Sequence, residues 1–374
     1  MKIGINARYL ANGNQRGLNR YAVNLVRALV ANEGVDVTLI SDRPLDRAFD
    51  TLVPGRRVVF RGRPHLWWEQ ALLPKQIGRE GLDVFHAPAD WGLPYRRACP
   101  QVLTLHSLCS RVLGQPPGTP RKVRIKDALS TWISIRRADA VIVVSECVRT
   151  DLLRLFRILP DRVRVIYEAP DPNFRPLDRT QFLGSMLGAM GVKQPYFLYV
   201  GGFEPWKNVT VLVKAFARFG RRDYTLVLAG ALDGHAAALR ALAAQCGVEQ
   251  QVRFVGYQAD SGLVALYNGA MALVHPSLYE SFGFPLVEAM SCRTPVTASG
   301  RGAMREVLGN AALYFDPTDP SSVAAALSAL ADDPHMRTRL AQVGMERAGG
   351  FSWEKTAKAT LDVYETVAQQ KVRR

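Results

Sequence analysis

Pro276 to Thr297 read PSLYESFGFPLVEAMSCRTPVT, a stretch that holds a strand exit, a loop and a helix entry. The preceding LVHPS closes an apolar run of the kind that forms a buried strand. Pro285 stands where a helix begins, because its missing N–H would have no partner in the first helical turn. Glu280 therefore belongs to a strand-to-helix loop, and Glu288, with seven residues between the two, to the first turn of the helix. The backbone N–H groups of Phe282, Gly283 and Phe284 then point out of a helix N-terminus, which is an anion-binding arrangement. A carboxylate beside such a cradle suits a ligand carrying both hydroxyls and a diphosphate.

The same alternation of strand, loop and helix runs outward in both directions. KIGINARYL reads as a strand and NGNQRG as a turn-forming loop ending at Gly17, where a glycine lets backbone approach a phosphate. The helix that follows places Leu18, Tyr21, Ala22, Leu25 and Leu29 on one side, and VDVTLIS is the next strand. This unit opens a doubly wound sheet. DVFHAP and PQVLTLHSL put His86 and His106 at strand C-termini, where open α/β sheets hold their ligands. PYFLYVGG starts a second unit of the same kind, and Lys207 is expected to open its first helix, within reach of a bound diphosphate.

The wording PS…E…FG…P…EAM is similar to the Glu-x7-Glu signature of retaining nucleotide-sugar glycosyltransferases of the GT-B fold, in their family 4. The resemblance covers nearly the whole chain. It implies an α/β architecture of two Rossmann-like domains facing each other across a cleft. Residues 1–173 would be the acceptor-binding domain, 174–194 a linker, 195–355 the nucleotide-sugar-binding domain, and 356–374 a helix crossing back to the first domain. It also implies roles. Glu280, Lys207 and His106 are the catalytic candidates, Glu280 holding sugar hydroxyls and His106 lying against the donor sugar. Glu288 would accept from the ribose, while Phe282, Gly283, Phe284, Pro285 and Leu286 border the diphosphate. Gly17, Gly202, Phe203 and Asn208 complete the donor side. Val255, Gly256 and Tyr257 would flank the nucleobase, leaving Leu263 and Tyr267 as helix core. Trp68 and Glu69, within RPHLWWEQALLP, match an acceptor-side segment together with His86, and a helix packing its tryptophans is the alternative. The chain departs from the family pattern at Ser107, where an aspartate is usual, and at Trp206, where an arginine is usual. A second phosphate-binding arginine is missing near Gly202 and Phe203, leaving Arg301, Arg305 or an N-terminal arginine to replace it.

Composition bounds the remaining choices. The chain has 374 residues, 48% of them hydrophobic, enough for two ordinary domains. No segment reaches the roughly 18 uncharged apolar residues of a membrane helix. The N-terminus lacks a signal peptide's apolar core, and five scattered cysteines read as reduced thiols, so a cytoplasmic location is expected. Residues 1–178 hold 28 Lys+Arg against 17 Asp+Glu, a net of +11 out of the chain's +15. That excess suits a phosphorylated substrate or an anionic membrane, and an arginine-rich composition without any partner is the plain alternative. No nucleic-acid-binding module is present. The stretch Arg121 to Arg137 mixes basic residues with Val123, Ile125, Leu129, Trp132 and Ile133. It reads either as a helix lying peripherally on the inner face of a membrane or as a solvated helix covering the sheet.

No Asp-x-Asp occurs, and neither a metal nor a cofactor is expected. The expectation is transfer of a hexose, mannose from GDP-mannose, to a saccharide or lipid-linked saccharide with the anomeric configuration kept. A UDP-sugar-dependent transferase and a catalytically weak scaffold of the same fold are the alternatives.

Overall fold

In the computed structural model the strands expected from unbroken apolar runs are buried, because helices cover both faces of two parallel sheets. The structure describes residues 1–8, 10, 17–45, 53, 57–59, 67–114, 120–177 and 181–372. The NGNQRG loop lies outside these residues up to Arg16. The chain forms two compact units, Met1–Glu168 with Ser352–Arg374, and Ala169–Phe351.

The first unit carries β1 (Lys2–Asn6), β2 (Asp36–Ser41), β3 (Arg57–Val59), β4 (Val84–Ala87), β5 (Gln101–Leu105), β6 (Ala140–Val143) and β7 (Val163–Val165). They pair in the order β3-β2-β1-β4-β5-β6-β7, all parallel. β1 is shorter than KIGINARYL suggests. Asn6 turns its side-chain amide onto the Gly92 carbonyl at 2.9 Å, and Leu10 N–H closes a tight turn onto Ala7 O at 2.9 Å. The Gly17–Val30 helix starts at Gly17 itself and buries Tyr21, Ala22, Leu25 and Leu29, with Leu18 partly buried. Ser145 ends a strand connection and caps the Glu146–Phe156 helix, its hydroxyl accepting Val148 N–H at 3.2 Å. The closing helix, Trp353–Val372, packs on the Gly17–Val30 helix and on β4 and β6, so the chain's end belongs to the first unit.

The segment around the tryptophans is not a plain α-helix. Trp68–Leu72 is a π turn that runs into the α-helix Leu73–Glu80, with Leu73 N–H bonded to Trp68 O. The cause is Pro74, which has no N–H for the carbonyl four residues earlier and whose ring clashes with it. Widening the turn by one residue removes that conflict.

The second unit begins with the Gln181–Ala189 helix. Its sheet contains β8 (Tyr196–Val200), β9 (Thr225–Ala229), β10 (Val252–Gly256), β11 (Ala272–His275), β12 (Val296–Ala298) and β13 (Ala312–Tyr314). The order is β10-β9-β8-β11-β12-β13, again parallel. Phe197, Leu212, Phe216, Leu226 and Val323 are the centre of its core. None of the five cysteines is in a disulfide; Cys99 and Cys292 are buried and the other three partly exposed.

Beneath the first unit's strand ends lies a buried hydrogen-bonded chain. Tyr364, from the closing helix, meets His86 Nδ1 at 2.6 Å, His86 Nε2 meets Thr104 Oγ1 at 2.8 Å, and Thr104 meets the Tyr21 hydroxyl at 3.1 Å. Burial, with His106 adding to it, pushes His86 down to about 3. Tyr364→Phe strips one ring nitrogen of its partner in a site without solvent. The expected loss is roughly 1–3 kcal/mol, read as a lower denaturation midpoint with an unchanged circular dichroism spectrum.

Candidate active site

In the second sheet the chain reverses its winding between β8 and β11, and ligands of open sheets bind at the C-terminal ends of such a pair. β8 leads through Gly201 and Gly202 to Lys207, and β11 ends on His275, followed by the loop that carries Glu280. Glu280 is only 8% exposed. Its Oε1 accepts from Lys207 Nζ and from His275 Nε2, each at 2.7 Å. Burial alone would favour the neutral acid. Lys207 and His275 outweigh it and hold the Glu280 carboxyl well below the usual carboxylate range. An ionised carboxylate offers only lone pairs, so the His275 hydrogen sits on Nε2. That ring is wholly buried, stacked on Tyr199 at 6.0 Å between centroids, with Ser277 Oγ 3.1 Å from Nε2. His275 Nδ1 is buried and has no hydrogen-bond partner among the described residues.

The loop backbone is fixed from the other side by Gly302. With φ +60, a Cβ there would lie 2.4 Å from Glu280 O and 2.7 Å from Glu280 N. Ala303 N–H then bonds Glu280 O at 2.8 Å. Only glycine permits this approach.

Lys207 lies in a short 3-10 turn, Pro205–Lys207, and the helix begins after it at Val209. The helix start shifts because Asn208 is left-handed at φ 56. Its amide donates to Pro276 O at 3.2 Å and Pro317 O at 2.9 Å, which ties the lysine turn to the Glu280 loop. Leu278 N–H to Trp206 O, 2.8 Å, is a second tie.

The helix after Glu280 is Phe284–Ser291, capped by Gly283 at φ +97. Pro285 is its second residue and Glu288 falls in the second turn, one residue later than the proline suggested, because Gly283 supplies the cap. Leu286 is buried, and Phe282 packs on Phe284 and Phe351. Glu288 is buried, and its Oε2 accepts the Tyr267 hydroxyl at 2.9 Å. Phe203 lies in the core against Tyr199 and Phe254. Val255 and Gly256 sit at a bulge ending the edge strand β10, Val255 O accepting from Gln258, while Tyr257 is 55% exposed.

In the first unit His106 lies beyond β5, nearly buried, with Nδ1 at 2.9 Å from Glu168 Oε1 and Nε2 at 3.3 Å from Pro88 O. Burial disfavours its charged form, but the Glu168 hydrogen bond and charge, with Asp90, raise it overall. Asp90 accepts the backbone N–H of His106 at 2.6 Å and of Ser107 at 3.2 Å. A carboxylate thus reaches this strand end although position 107 is a serine. His86 is fully buried with both ring nitrogens engaged inside the protein. Trp68 and Glu69 are buried, and Trp67 is exposed. Gly17 is exposed at its helix start.

Two sequence families match: residues 189–347 fit the profile described as "Glycosyl transferases group 1", and residues 15–174 that of "Glycosyltransferase Family 4". The O-antigen chain mannosyltransferase B of Escherichia coli is 31% identical over 372 residues, covering 93% of this chain and 96% of that protein. The chain is a group 1 glycosyltransferase of the GT-B fold. A D-inositol 3-phosphate glycosyltransferase of Frankia alni is 30% identical, over 94% of the transferase described here and 95% of the relative. Among solved structures, Anabaena HepE in complex with UDP and glucose has a TM-score of 0.77 at 20% identity, over 98% and 100% of the two chains. Sucrose-phosphate synthase from Thermosynechococcus elongatus reaches 0.78 at 22% identity, over 98% and 99%.

The second unit gathers Glu280, Lys207 and Asn208 and adds His275 and Gly302, while the first unit sets Asp90 beside His106; the sequence alone pointed to none of these last three. LVHPS and GAMREV contain the signals, a histidine five residues before Glu280 and a glycine beside a helix start.

His275→Phe keeps the stack on Tyr199 and removes a donor to the ionised Glu280. A hydrogen bond to a charged group contributes ~1.5–3 kcal/mol, so the transferase rate should fall about 10–100-fold, in kcat more than in KM. For the His106–Glu168 pair, a raised histidine stabilises the fold fully below the unfolded value of 6.5 and loses that contribution as pH rises through the folded one. Glu168→Gln should therefore destabilise the protein more at about pH 6 than at about pH 9, measured by thermal unfolding at both.

Proposed function

We propose that this transferase moves mannose from GDP-mannose onto a hydroxyl of a lipid-linked saccharide at the cytoplasmic face of a membrane, keeping the anomeric configuration. The observation that carries the reading is Glu280, a buried ionised carboxylate clamped by Lys207 and His275 next to a glycine-capped helix N-terminus. A sugar diphosphate needs both a hydroxyl acceptor and positive groups around its leaving phosphate.

In this reading the bond from the anomeric carbon to the phosphate oxygen breaks with its electron pair going to the phosphate. The acceptor oxygen forms the new bond on the same face, and its proton passes to the departing phosphate oxygen. Lys207 and the amides near Gly283 and Phe284 steady the phosphate, Glu280 the sugar, and Glu288 the ribose. No metal is part of the scheme. In the scheme the arginine usual near Phe203 is replaced by Arg301, by Arg305, which is stacked on Tyr314 at 4.3 Å, or by an arginine of the first unit. His106, fixed by Glu168, is the first unit's contribution, and Trp68 and Glu69 are assigned to its acceptor side.

Mannose is favoured by the mannosyltransferase relative, which this chain matches nearly end to end. A UDP-sugar donor is the second reading, favoured by the UDP named with the Anabaena fold neighbour.

Nucleotide release from a panel of GDP-, UDP-, dTDP- and ADP-sugars tests both. One donor should be hydrolysed slowly, and Lys207→Ala and Glu280→Ala should each reduce that release by about a hundredfold or more. Release from a UDP-sugar in place of GDP-mannose would establish the second reading. Neither binding nor release of any donor would overturn transfer altogether.

A further inference from the structure

The helix Arg121–Arg137 turns much of its apolar surface outward. At 100° per residue, Ile125, Leu129, Trp132 and Arg136 fall on one stripe and Ser130 and Ser134 on the opposite side. A surface helix of a globular protein normally turns its apolar stripe to the core. Here Ser130 and Ser134 are buried together with Ile135, Ser134 Oγ accepting the N–H groups of Gly92 and Leu93 at 3.1 and 3.2 Å. The apolar stripe faces outward: Ile125 is 57% exposed, Leu129 50% and Trp132 46%. Every residue from Arg121 to Asp127 is exposed.

The charge on this helix is one-sided. Arg121, Lys122, Arg124, Lys126, Arg136 and Arg137 stand against Asp127 alone. The Arg136 guanidinium lies 5.6 Å from the Trp132 ring centre, and Arg137 lies 4.5 Å above the ring of exposed Tyr95. Cations therefore stand against Trp132 in the apolar stripe and against the nearby exposed Tyr95.

We propose that this face docks the protein on an anionic lipid bilayer. Ile125, Leu129 and Trp132 enter the interfacial layer to a shallow depth, and the surrounding lysines and arginines meet lipid phosphates. Charge complementarity selects this occupant. A second copy would bring two strongly basic helices together, and a nucleic-acid backbone would leave the apolar stripe without a counterpart. The inference stands apart from the donor and acceptor readings, since it rests on a surface and not on the Glu280 site.

Flotation of the full chain with vesicles tests it, using phosphatidylcholine alone and an equimolar mixture with phosphatidylglycerol. Binding should appear only with the anionic vesicles and weaken as salt rises. Lys122→Gln with Lys126→Gln should weaken it about five-fold for each charge removed, and Ile125→Ser with Trp132→Ser should abolish it. These side chains are exposed, so unchanged melting curves will show that both variants fold. Equal binding to neutral vesicles, or variants that bind like the parent, would overturn the proposal. So would a parent that ignores lipid but forms dimers that the variants lose.

Discussion

One interaction organises the second unit: a carboxylate kept charged in a place where burial opposes charge. Glu280 stays ionised because Lys207 and His275 reach the same oxygen, and neither would be there without a scaffold assembled for it. Lys207 comes from the turn after β8 and His275 from the end of β11, the two strands between which the winding reverses. Asn208 and the Leu278–Trp206 backbone bond tie the two loops together, and Gly302 braces the Glu280 loop from the other side. Removing a partner from such a cluster leaves a buried charge without compensation, which costs several kcal/mol. The site and the local fold are therefore one structure, with the core beneath keeping the donors in place before any ligand arrives.

The fold was readable because its signals are local and periodic. Runs such as YFLYV and TLVLA can be little other than strands covered on both faces, and alternation with helices leaves a parallel sheet as the simple solution. The Glu280 loop was readable for the same reason, since Pro285 and Gly283 mark a helix entry by their own chemistry. Less legible were features set by contacts between distant residues. Asn208 looks like one more polar residue until its left-handed backbone brings its amide between Pro276 and Pro317. His275 looks like the last residue of a strand until the loop folds Glu280 back over it. Asp90 supplies the carboxylate near His106 from a different strand end, a substitution in space that no spacing rule could reveal.

The first unit separates two histidines that look alike in sequence. Both stand near a strand's C-terminal end, yet His86 lies within β4, a layer deeper, uncharged and held by Tyr364 and Thr104, while His106, just beyond β5, faces Glu168 and is raised. Depth and the charge of the neighbour decide their protonation, not position along the strand. The same logic separates the serines of the Arg121–Arg137 helix from its aliphatic residues. Composition there shows only that basic and apolar residues are mixed, whereas the direction of the helix shows which of them meet solvent.

The π turn at Trp68–Leu72 has a consequence for how this segment can vary. Relative to an α-helix it contains one additional residue per turn, and that residue exists because Pro74 forbids the narrower winding. Deleting it without replacing the proline would restore the clash, and replacing the proline without the deletion would leave a wide turn with nothing to sustain it. The residue count and the proline thus behave as a single heritable character, one that a chain can keep or lose only as a pair.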